Sequence, residues 1–453
     1  IQSTIDWPAL ENAAALLAGL AHREPATALA EHFRDEPTAS MPNWLDAHVS
    51  GPVVHAEQTA RGVVIVGSPG NDVYTGPAAI IIDTGGDDIY ALPAGDTVRI
   101  VIDLDGNDTY SSQADGALAG SVLGASLIAD HAGDDTYTGG WINQGAAVAG
   151  IGMLYDHAGD DRYFAAELAQ GAALAGIGVL VDASGDDFYT AAKFAQGFGG
   201  ALGTGVLFDD GGNDAYLAGN KHASSYAVPG NYQAFSQGVG MGFRNDIAGG
   251  VGVLRDQGGN DTYTAGNFSQ GTGYYLGAGL LLDDGGNDAY TGGRYTQGAA
   301  AHLGIGLLRD EAGNDAYAGS PSASQGAAWD MAVAALVDCA GDDDYSTNEF
   351  GLGAAAQNAI ALFVDTDGEN QFTARRHAQG HEGPNDYRED GDRTGNIAVF
   401  MTEKPSAPDN AADRSAIPDV PTPSIPSAAA GRPTQTPNAA GRGAVPDAPN
   451  DRR

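Results

Sequence analysis

The sequence is poor in cysteine, in basic residues and in long apolar runs, and each shortage excludes a class of protein. One cysteine among 453 residues, Cys339, allows no internal disulfide and no thiol-rich metal site. Only 21 Lys and Arg face 59 Asp and Glu, so the formal net charge is −38. Nucleic-acid phosphates and anionic membrane surfaces would repel such a chain. No apolar run of about 18 residues occurs, so we expect no transmembrane helix. Ile1 stands where Met would begin a nascent chain, which indicates a processed form whose targeting segment was removed.

What is abundant instead is a repeated phrase, Asp-x-x-Gly-Asn/Asp-Asp-x-Tyr, present in twelve copies. From Tyr110 onward the copies follow one another at 26 to 28 residues, apart from one step of 47 that contains 20 inserted residues. A Gly-x-Gly-x-Leu-x-Asp element precedes the phrase and a Gln-Gly element follows it. The closing aromatic residues are Tyr74, Tyr90, Tyr110, Tyr137, Tyr163, Tyr189, Tyr216, Tyr263, Tyr290, Tyr317, Tyr345 and Phe372. The glutamines are Gln144, Gln170, Gln196, Gln237, Gln270, Gln297 and Gln325.

The repeat alternates with period two, which indicates β-strands. Leu180 and Leu207 hold a constant position two residues before Asp, whereas the next position varies from Val181 to Phe208 to Arg255. A position that keeps Leu faces inward and one that accepts Arg faces outward. Each unit therefore supplies three short extended segments separated by Gly-rich corners. We predict an all-β fold, a parallel β-helix (β-solenoid) of about twelve coils that rise by roughly 4.8 Å each. The Gln amides are expected to hydrogen-bond to one another along the array.

The domain organisation follows from the limits of this repeat. Residues 1–52 are predicted to be a helical N-terminal cap over the open first coil, with Asp6 as N-cap of its first helix and a second helix over 26–33. Residues 53–402 form the solenoid, with the insertion within 217–255 and a last strand over 396–401. Residues 403–453 contain ten of the 21 prolines, which predicts a disordered Pro/Ala-rich tail.

The negative charge is concentrated in the phrase, which carries 34 of the 59 acidic residues. Only eight Lys or Arg lie between residues 67 and 372. In-register coils therefore place carboxylates in columns, where two charges 4.8 Å apart repel by roughly 0.9 kcal/mol even in water. Two arrangements would offset this repulsion. Asp at a tight turn accepts backbone N–H groups in a metal-free Asx turn. Alternatively, Ca²⁺ takes six to eight oxygen ligands from carboxylates and carbonyls.

The phrase resembles the RTX, or haemolysin-type, calcium-binding nonapeptide Gly-Gly-x-Gly-x-Asp-x-(apolar)-x. The copy from Gly67 to Tyr74 matches well, and Gly259, Asp261 and Tyr263 keep the pattern elsewhere. Two features depart from it: the first Gly is Asp in eleven of the twelve copies, and the period is about 27 residues where the family has 18. The resemblance implies Ca²⁺ as the cofactor, bound between turns by Asp72, Asp88, Asp108, Asp135, Asp161, Asp187, Asp214, Asp261, Asp288, Asp315 and Asp343. The Asp that opens the phrase is either a further ligand or a turn cap, at Asp83, Asp103, Asp130, Asp156, Asp182, Asp209, Asp256, Asp283, Asp310 and Asp338.

The insertion is the one break in the regularity of the array. It gathers a mixed set of side chains that is either a ligand patch or a variable surface loop: Lys221, His222, Tyr226, Tyr232 and Arg244. A carbohydrate-active enzyme of the polysaccharide lyase, hydrolase or epimerase type would use this region. Repeated Asp cannot mark one catalytic pair, so we favour a role other than catalysis.

Taken with the resemblance, these features predict a structural or adhesive protein that is secreted, periplasmic or held at the cell surface. Its partner would be an extracellular polymer or protein, with self-association along the solenoid as a further option. A metal-free repeat scaffold for protein interaction remains open beside it.

Overall fold

A computed structural model describes residues 6–22, 24–25, 27–28, 31–32, 42–94, 98–226, 231–387 and 395–402. Over these residues the chain is almost entirely short strands wound into a parallel β-solenoid, which confirms the predicted fold class. A typical coil contains four segments, at Ile151–Asp156, Arg162–Phe164, Glu167–Ala169 and Ala173–Leu174. The third of these, a strand of three or four residues between the phrase and the Gln-Gly corner, occurs in four coils and brings the count above the three segments predicted.

Sheet 1 consists of the strands that run into the first Asp of the phrase, preceded by one antiparallel strand. It has 14 strands. They are Val53–Thr59, Gly62–Gly67, Ile80–Ile82, Val98–Ile102, Ala125–Ala129, Ile151–Asp156, Ile177–Asp182, Thr204–Asp209, Val251–Asp256, Ala278–Asp283, Ile305–Asp310, Val333–Asp338, Ile360–Asp365 and Ile397–Thr402. The last of these is the strand expected over 396–401.

Sheet 2 consists of the twelve strands that carry the closing aromatic residue of the phrase, preceded by the antiparallel strand Val49–Ser50. It has 13 strands. They are Val49–Ser50, Val73–Tyr74, Ile89–Ala91, Thr109–Ser111, Thr136–Thr138, Arg162–Phe164, Phe188–Ala191, Ala215–Ala218, Thr262–Ala265, Ala289–Gly292, Ala316–Gly319, Asp344–Glu349 and Gln371–Arg376.

The remaining flank is built from two shorter sets of strands. Sheet 3 follows the Gln-Gly corner in two blocks that isolated bridges through Gly199 join: Ser121–Val122, Ala147–Val148 and Ala173–Leu174, then Gly240–Met241, Gly273–Tyr274, Ala300–Ala301, Ala328–Trp329 and Ala355–Ala356. Sheet 4 precedes that corner as two pairs, Glu167–Ala169 with Lys193–Ala195 and Gln233–Ser236 with Asn267–Ser269.

The coils stack in register, so equivalent residues of the repeat lie directly above one another. Tyr163 pairs with Tyr189, and Leu180 pairs with Leu207. The phrase tyrosines form one buried file whose neighbouring ring centroids lie 4.5 to 4.9 Å apart, continued by Phe372 at 5.1 Å from Tyr345. This file and the inward Leu column of sheet 1 are the core of the solenoid. An uninterrupted ladder of parallel strands requires this register, because a slip of one residue would expose every Leu.

The Gln side chains of the Gln-Gly corners are buried, but their amides do not bond to one another. Gln170 has a φ of 53° and Gly171 a φ of 72°, so two successive left-handed residues turn the chain. The Gln170 Nε2 donates to the carbonyls of Tyr163, at 3.0 Å, and Thr190, at 3.1 Å. The expected amide ladder is therefore wrong. Six of the seven glutamines donate to backbone carbonyls on two coils, and Gln297 donates to the Tyr290 carbonyl, because the left-handed turn directs the side chain inward across the strands.

The N-terminal helix α1 occupies Trp7–Leu20, and the Asp6 side chain caps it by accepting the Ala9 N–H. Its apolar side packs on the outward face of sheet 1, where Ala14 and Leu17 join a cluster that includes Leu127. The helix thus lies along the flank and not over the open first coil as expected. The edges of that coil are instead paired by the antiparallel strands that begin at residues 49 and 53. Of the second helix predicted over 26–33, residues 27–28 and 31–32 are described and are helical.

Beyond helix α1 the outward face of sheet 1 stays uncovered in the described structure, and it is largely apolar apart from Arg255 and Arg309 with their acidic partners. Val251, Ile305, Val333 and Ile360 each open a strand of this face, and each is more than a third exposed. No helix among the described residues has the length and apolarity needed to cross a membrane. Residues 403–453, where a disordered tail was predicted, lie outside the described part.

Candidate functional site

Two files of aspartates run through the corner between sheets 1 and 2, as the repeat predicted. The strand-end Asp ends or directly follows eleven of the 14 strands of sheet 1, and the turn Asp is the sixth residue of the phrase. All are buried, with at most 2 % of their surface exposed. The strand-end Asp file is Asp83, Asp103, Asp130, Asp156, Asp182, Asp209, Asp256, Asp283, Asp310, Asp338 and Asp365. The turn Asp file is Asp72, Asp88, Asp108, Asp135, Asp161, Asp187, Asp214, Asp261, Asp288, Asp315 and Asp343.

The strand-end Asp is held by two hydrogen bonds that recur along the file. In one coil, Asp283 Oδ2 accepts the Tyr263 hydroxyl from the neighbouring coil at 2.7 Å. Its Oδ1 accepts the Gly285 N–H at 2.9 Å, two residues further along the chain. The second bond is the Asx turn that the sequence offered as a metal-free solution. The tyrosine file therefore fills the core with its rings and binds the strand-end carboxylates with its hydroxyl groups.

The turn Asp is only half satisfied. Asp187 Oδ1 accepts the N–H of Asp161, the turn Asp of the neighbouring coil, at 2.6 Å. Its Oδ2 is buried and has no hydrogen-bond partner. The same orphaned Oδ2 occurs at every turn Asp from Asp72 to Asp343. A buried carboxylate oxygen without a donor costs free energy, so a proton or a cation is needed beside each one.

The two files meet in groups of three carboxylates drawn from two neighbouring coils. In one group, oxygen atoms of Asp161, Asp182 and Asp187 all lie within 4.8 Å of one another. Ten such groups occur among the residues that the structure describes. Each offers only hard oxygen donors, the ligand type that Ca²⁺ and Mg²⁺ prefer. The donor chemistry and the orphaned Oδ2 therefore fit a hard divalent cation.

Burial and mutual repulsion make these carboxyls weak acids. Burial, opposed by the hydrogen bond from the Asp161 N–H and assisted by the negative charge of Asp209, raises the pKa of the Asp187 carboxyl to about 8. Burial followed by repulsion from Asp209 raises the pKa of Asp214 to about 10. The same two causes, with Asp130 as the first neighbour, raise the pKa of Asp135 to about 12. Without a counter-ion, many of these groups would hold protons at neutral pH.

The glycine of the phrase allows the coils to approach this closely. Gly259 has a φ of +154°, and a Cβ placed on it would lie 1.4 Å from the carbonyl oxygen of Gly212 in the neighbouring coil. No side chain fits there, so the repeated Gly is required sterically as well as by its backbone conformation.

The residue before each turn Asp forms a separate, exposed ladder. Asp186 accepts the backbone and side-chain N–H groups of Asn213 at 2.8 and 2.9 Å. Asn213 accepts the same pair of bonds from Asn260, at 3.0 and 2.9 Å. These residues are exposed to solvent, which screens their charges. This ladder therefore does not need the proton or cation that the buried files need.

The predicted ligand patch of the insertion divides into two parts. Lys221 and His222 both contact the buried carboxylate of Glu167, with Nζ at 3.4 Å and Nε2 at 2.8 Å from its Oε1. Tyr226 lies beneath the Arg294 guanidinium at 4.4 Å. Tyr232 pairs with residue 223 in the same inserted hairpin.

Arg244 does not join that group, because it lies in the second inserted loop, beside the bridge between Phe243 and Ile247. Glu167 is not among the residues predicted from the sequence. The position three residues before Gln holds Trp141, Glu167 and Lys193 in successive copies. Aligning this position across the copies shows that the side-chain charge changes from negative at Glu167 to positive at Lys193.

Comparison with protein-family models, with curated proteins and with solved structures finds no match to this chain.

Proposed function

We propose that this protein is a structural or adhesive rod that binds Ca²⁺ ions along its aspartate files. The observation that carries the proposal is the orphaned, buried Oδ2 of every turn Asp, which lies in a group of three carboxylates. The resemblance of the phrase to the RTX nonapeptide agrees with calcium as the ion. The residues that would hold it are the turn Asp of one coil with the turn Asp and strand-end Asp of the next. When bound, the ion would supply positive charge that links adjacent coils.

The charge balance favours a divalent ion over a single shared proton. Each coil adds one strand-end Asp and one turn Asp, hence two negative charges, to the buried corner. One divalent ion per coil cancels both charges. One proton per coil would leave a charge every ~4.8 Å along a buried file, where repulsion is several times the value in water.

A location outside the cytoplasm supports filling of such sites. Extracellular calcium modules bind with dissociation constants of about 10⁻⁴ to 10⁻³ M, a range matched to the calcium available there. The rod would then be stable where calcium is plentiful. Its exposed apolar face, on sheet 1 beyond helix α1, offers a surface for a protein or polymer partner.

A second candidate is a metal-free scaffold in which the aspartates hold protons. The raised pKa values of Asp187 and Asp214 favour it, because such groups retain protons at neutral pH. The two candidates differ in what neutralises the charge of the aspartate files, which is Ca²⁺ in the first and protons in the second. A chelator should destabilise the protein in the first case and leave its stability unchanged in the second.

Calcium titration of chelator-treated protein separates them. We expect calorimetry to find about ten ions per chain, one for each carboxylate group. Binding to the native state alone stabilises by about 2.7 kcal/mol per ion at a hundredfold excess over Kd, so the melting temperature should rise by about 10 °C or more. If the protein takes up no calcium and melts at the same temperature with and without EGTA, the metal-free scaffold is the correct description.

A further inference from the structure

A row of unlike, mostly polar side chains runs along one flank of the solenoid. It lies at the repeat position three residues before the Gln of the Gln-Gly corner. Sheet 4 and one isolated bridge bring Trp141, Glu167 and Lys193 side by side on successive coils. Lys193 Nζ then reaches Gln233 Oε1 at 3.2 Å on the next coil. The buried columns of this solenoid repeat one residue type, such as the Leu, Tyr and Asp columns, whereas this column changes from Trp to Glu to Lys, a variation that core packing does not require.

The inserted hairpin folds back over this row. Residue 223 bridges Tyr232, and the Gln233 N–H donates to the His222 carbonyl at 2.8 Å. Asn267 Nδ2 ties the hairpin to the flank by donating to Ser224 Oγ at 2.5 Å. Between hairpin and row lies an open cleft of about 460 Å³. Its lining includes Lys193, Lys221, His222, Ser224, Ser225 and Gln233.

The cleft carries an excess of positive charge in a very acidic chain. Two of the eight Lys and Arg between residues 67 and 372, Lys193 and Lys221, lie here beside His222. Lys221 and His222 share one carboxylate, that of Glu167, which is buried beneath them. An anion that enters would meet two ammonium groups, with hydroxyl and amide groups beside them.

We propose that this cleft binds an acidic saccharide, with a sugar carboxylate placed between Lys193 and Lys221. Sugar hydroxyls would bond to the Ser224 hydroxyl and the Gln233 amide. Trp141, 43 % exposed and paired with Glu167 across the ladder, offers a ring on which a neighbouring sugar can stack. The open cleft on the side of a rod admits an internal unit of a polymer. This inference is independent of calcium, since none of these residues belongs to the aspartate files.

The test is calorimetric binding of a tetrameric uronate oligosaccharide to the intact chain in calcium-containing buffer. Lys221→Gln, on an exposed side chain, should weaken binding about tenfold or more, and added salt should weaken binding to the unaltered chain. The matched control is Arg255→Gln, which removes one positive charge from the outward face of sheet 1 and should leave the affinity unchanged. Trp141→Ala should weaken binding of the tetrasaccharide without altering how that binding depends on salt.

Three outcomes would overturn the proposal. Equal affinity in Lys221→Gln and Arg255→Gln would show that the uronate binds elsewhere, for instance through calcium at the corners. If a neutral oligosaccharide of the same length binds as tightly, then the proposed contact of a sugar carboxylate with Lys193 and Lys221 does not contribute to binding. Binding of inorganic phosphate without any binding of the uronate would assign the cleft to a different anion.

Discussion

Replacing the turn Asp187 by Asn should have opposite effects on stability with and without calcium. The Asn side chain keeps the carbonyl oxygen that accepts the Asp161 N–H at 2.6 Å. It places an NH₂ group where the orphaned Oδ2 now lies, beside Asp182 of the same carboxylate group. In buffer with a chelator, the amide of the variant donates a hydrogen bond to the Asp182 carboxylate, whereas the unaltered protein places two negative charges side by side. With calcium the substitution removes a charged ligand from the ion.

The size of each effect follows from the same site. Burial raises the pKa of Asp187 from 3.8 to about 8. At pH 8 its charged form costs the metal-free fold up to about 6 kcal/mol, at 1.36 kcal/mol for each pH unit, and the neutral amide of the variant escapes that cost. With calcium, losing one ion held at a hundredfold excess over Kd costs about 2.7 kcal/mol. Asp187→Asn should therefore raise the melting temperature by several degrees in EGTA and lower it in calcium.

Thermal unfolding followed by circular dichroism at pH 8, in EGTA and in millimolar CaCl₂, measures both signs. The matched control is Asp186→Asn, which removes the same charge from the exposed ladder next door. Asn213 already occupies the equivalent position in the following coil, so this change should move stability by less than about 0.5 kcal/mol in either buffer. If Asp187→Asn lowers stability equally in both buffers, then neither a cation nor excess charge governs the site, and the reasoning is refuted.

Three further predictions concern the packing and titration of the same corner. Tyr263→Phe removes the hydroxyl bound to Asp283 at 2.7 Å and should cost about 1.5–3 kcal/mol in urea unfolding, whereas Tyr155→Phe, on the outward face, should cost little. Gly259→Ala should severely destabilise the fold because its Cβ would lie 1.4 Å from a carbonyl oxygen, while Gly70→Ala, whose nearest neighbour would be 3.6 Å away, should be tolerated. Raised carboxyl pKa values mean that the metal-free folded state binds more protons than the unfolded chain above pH 4, so the melting temperature in EGTA should fall from pH 4 to 8. In millimolar calcium the melting temperature should instead change little above about pH 5, because the ion keeps the folded carboxyls deprotonated and the unfolded chain also binds almost no protons there; equal slopes in the two buffers would contradict both statements.

Much of the architecture was accessible from the sequence because each repeat position recurs on every coil. The constant Leu180 and Leu207 and the variable Val181 and Phe208 gave the inward and outward faces correctly. The Asp and Tyr files followed from the same periodicity. The position of helix α1 does not follow from the periodicity, because its apolar side fits any uncovered apolar surface. The repeat pattern also does not specify that antiparallel strands pair the edges of the first coil.

The repeat alone determined that carboxylates stack in files beside tyrosines, because in-register parallel strands place equivalent residues at one point on successive coils. Only the tertiary structure decided how those carboxylates are satisfied: the corner geometry gives the strand-end Asp two donors and leaves one oxygen of the turn Asp with none. It also decided that Glu167 meets Lys221 and His222, more than 50 residues later in the chain. That contact depends on where an inserted loop folds back across neighbouring coils, and no local pattern of residues specifies such a path.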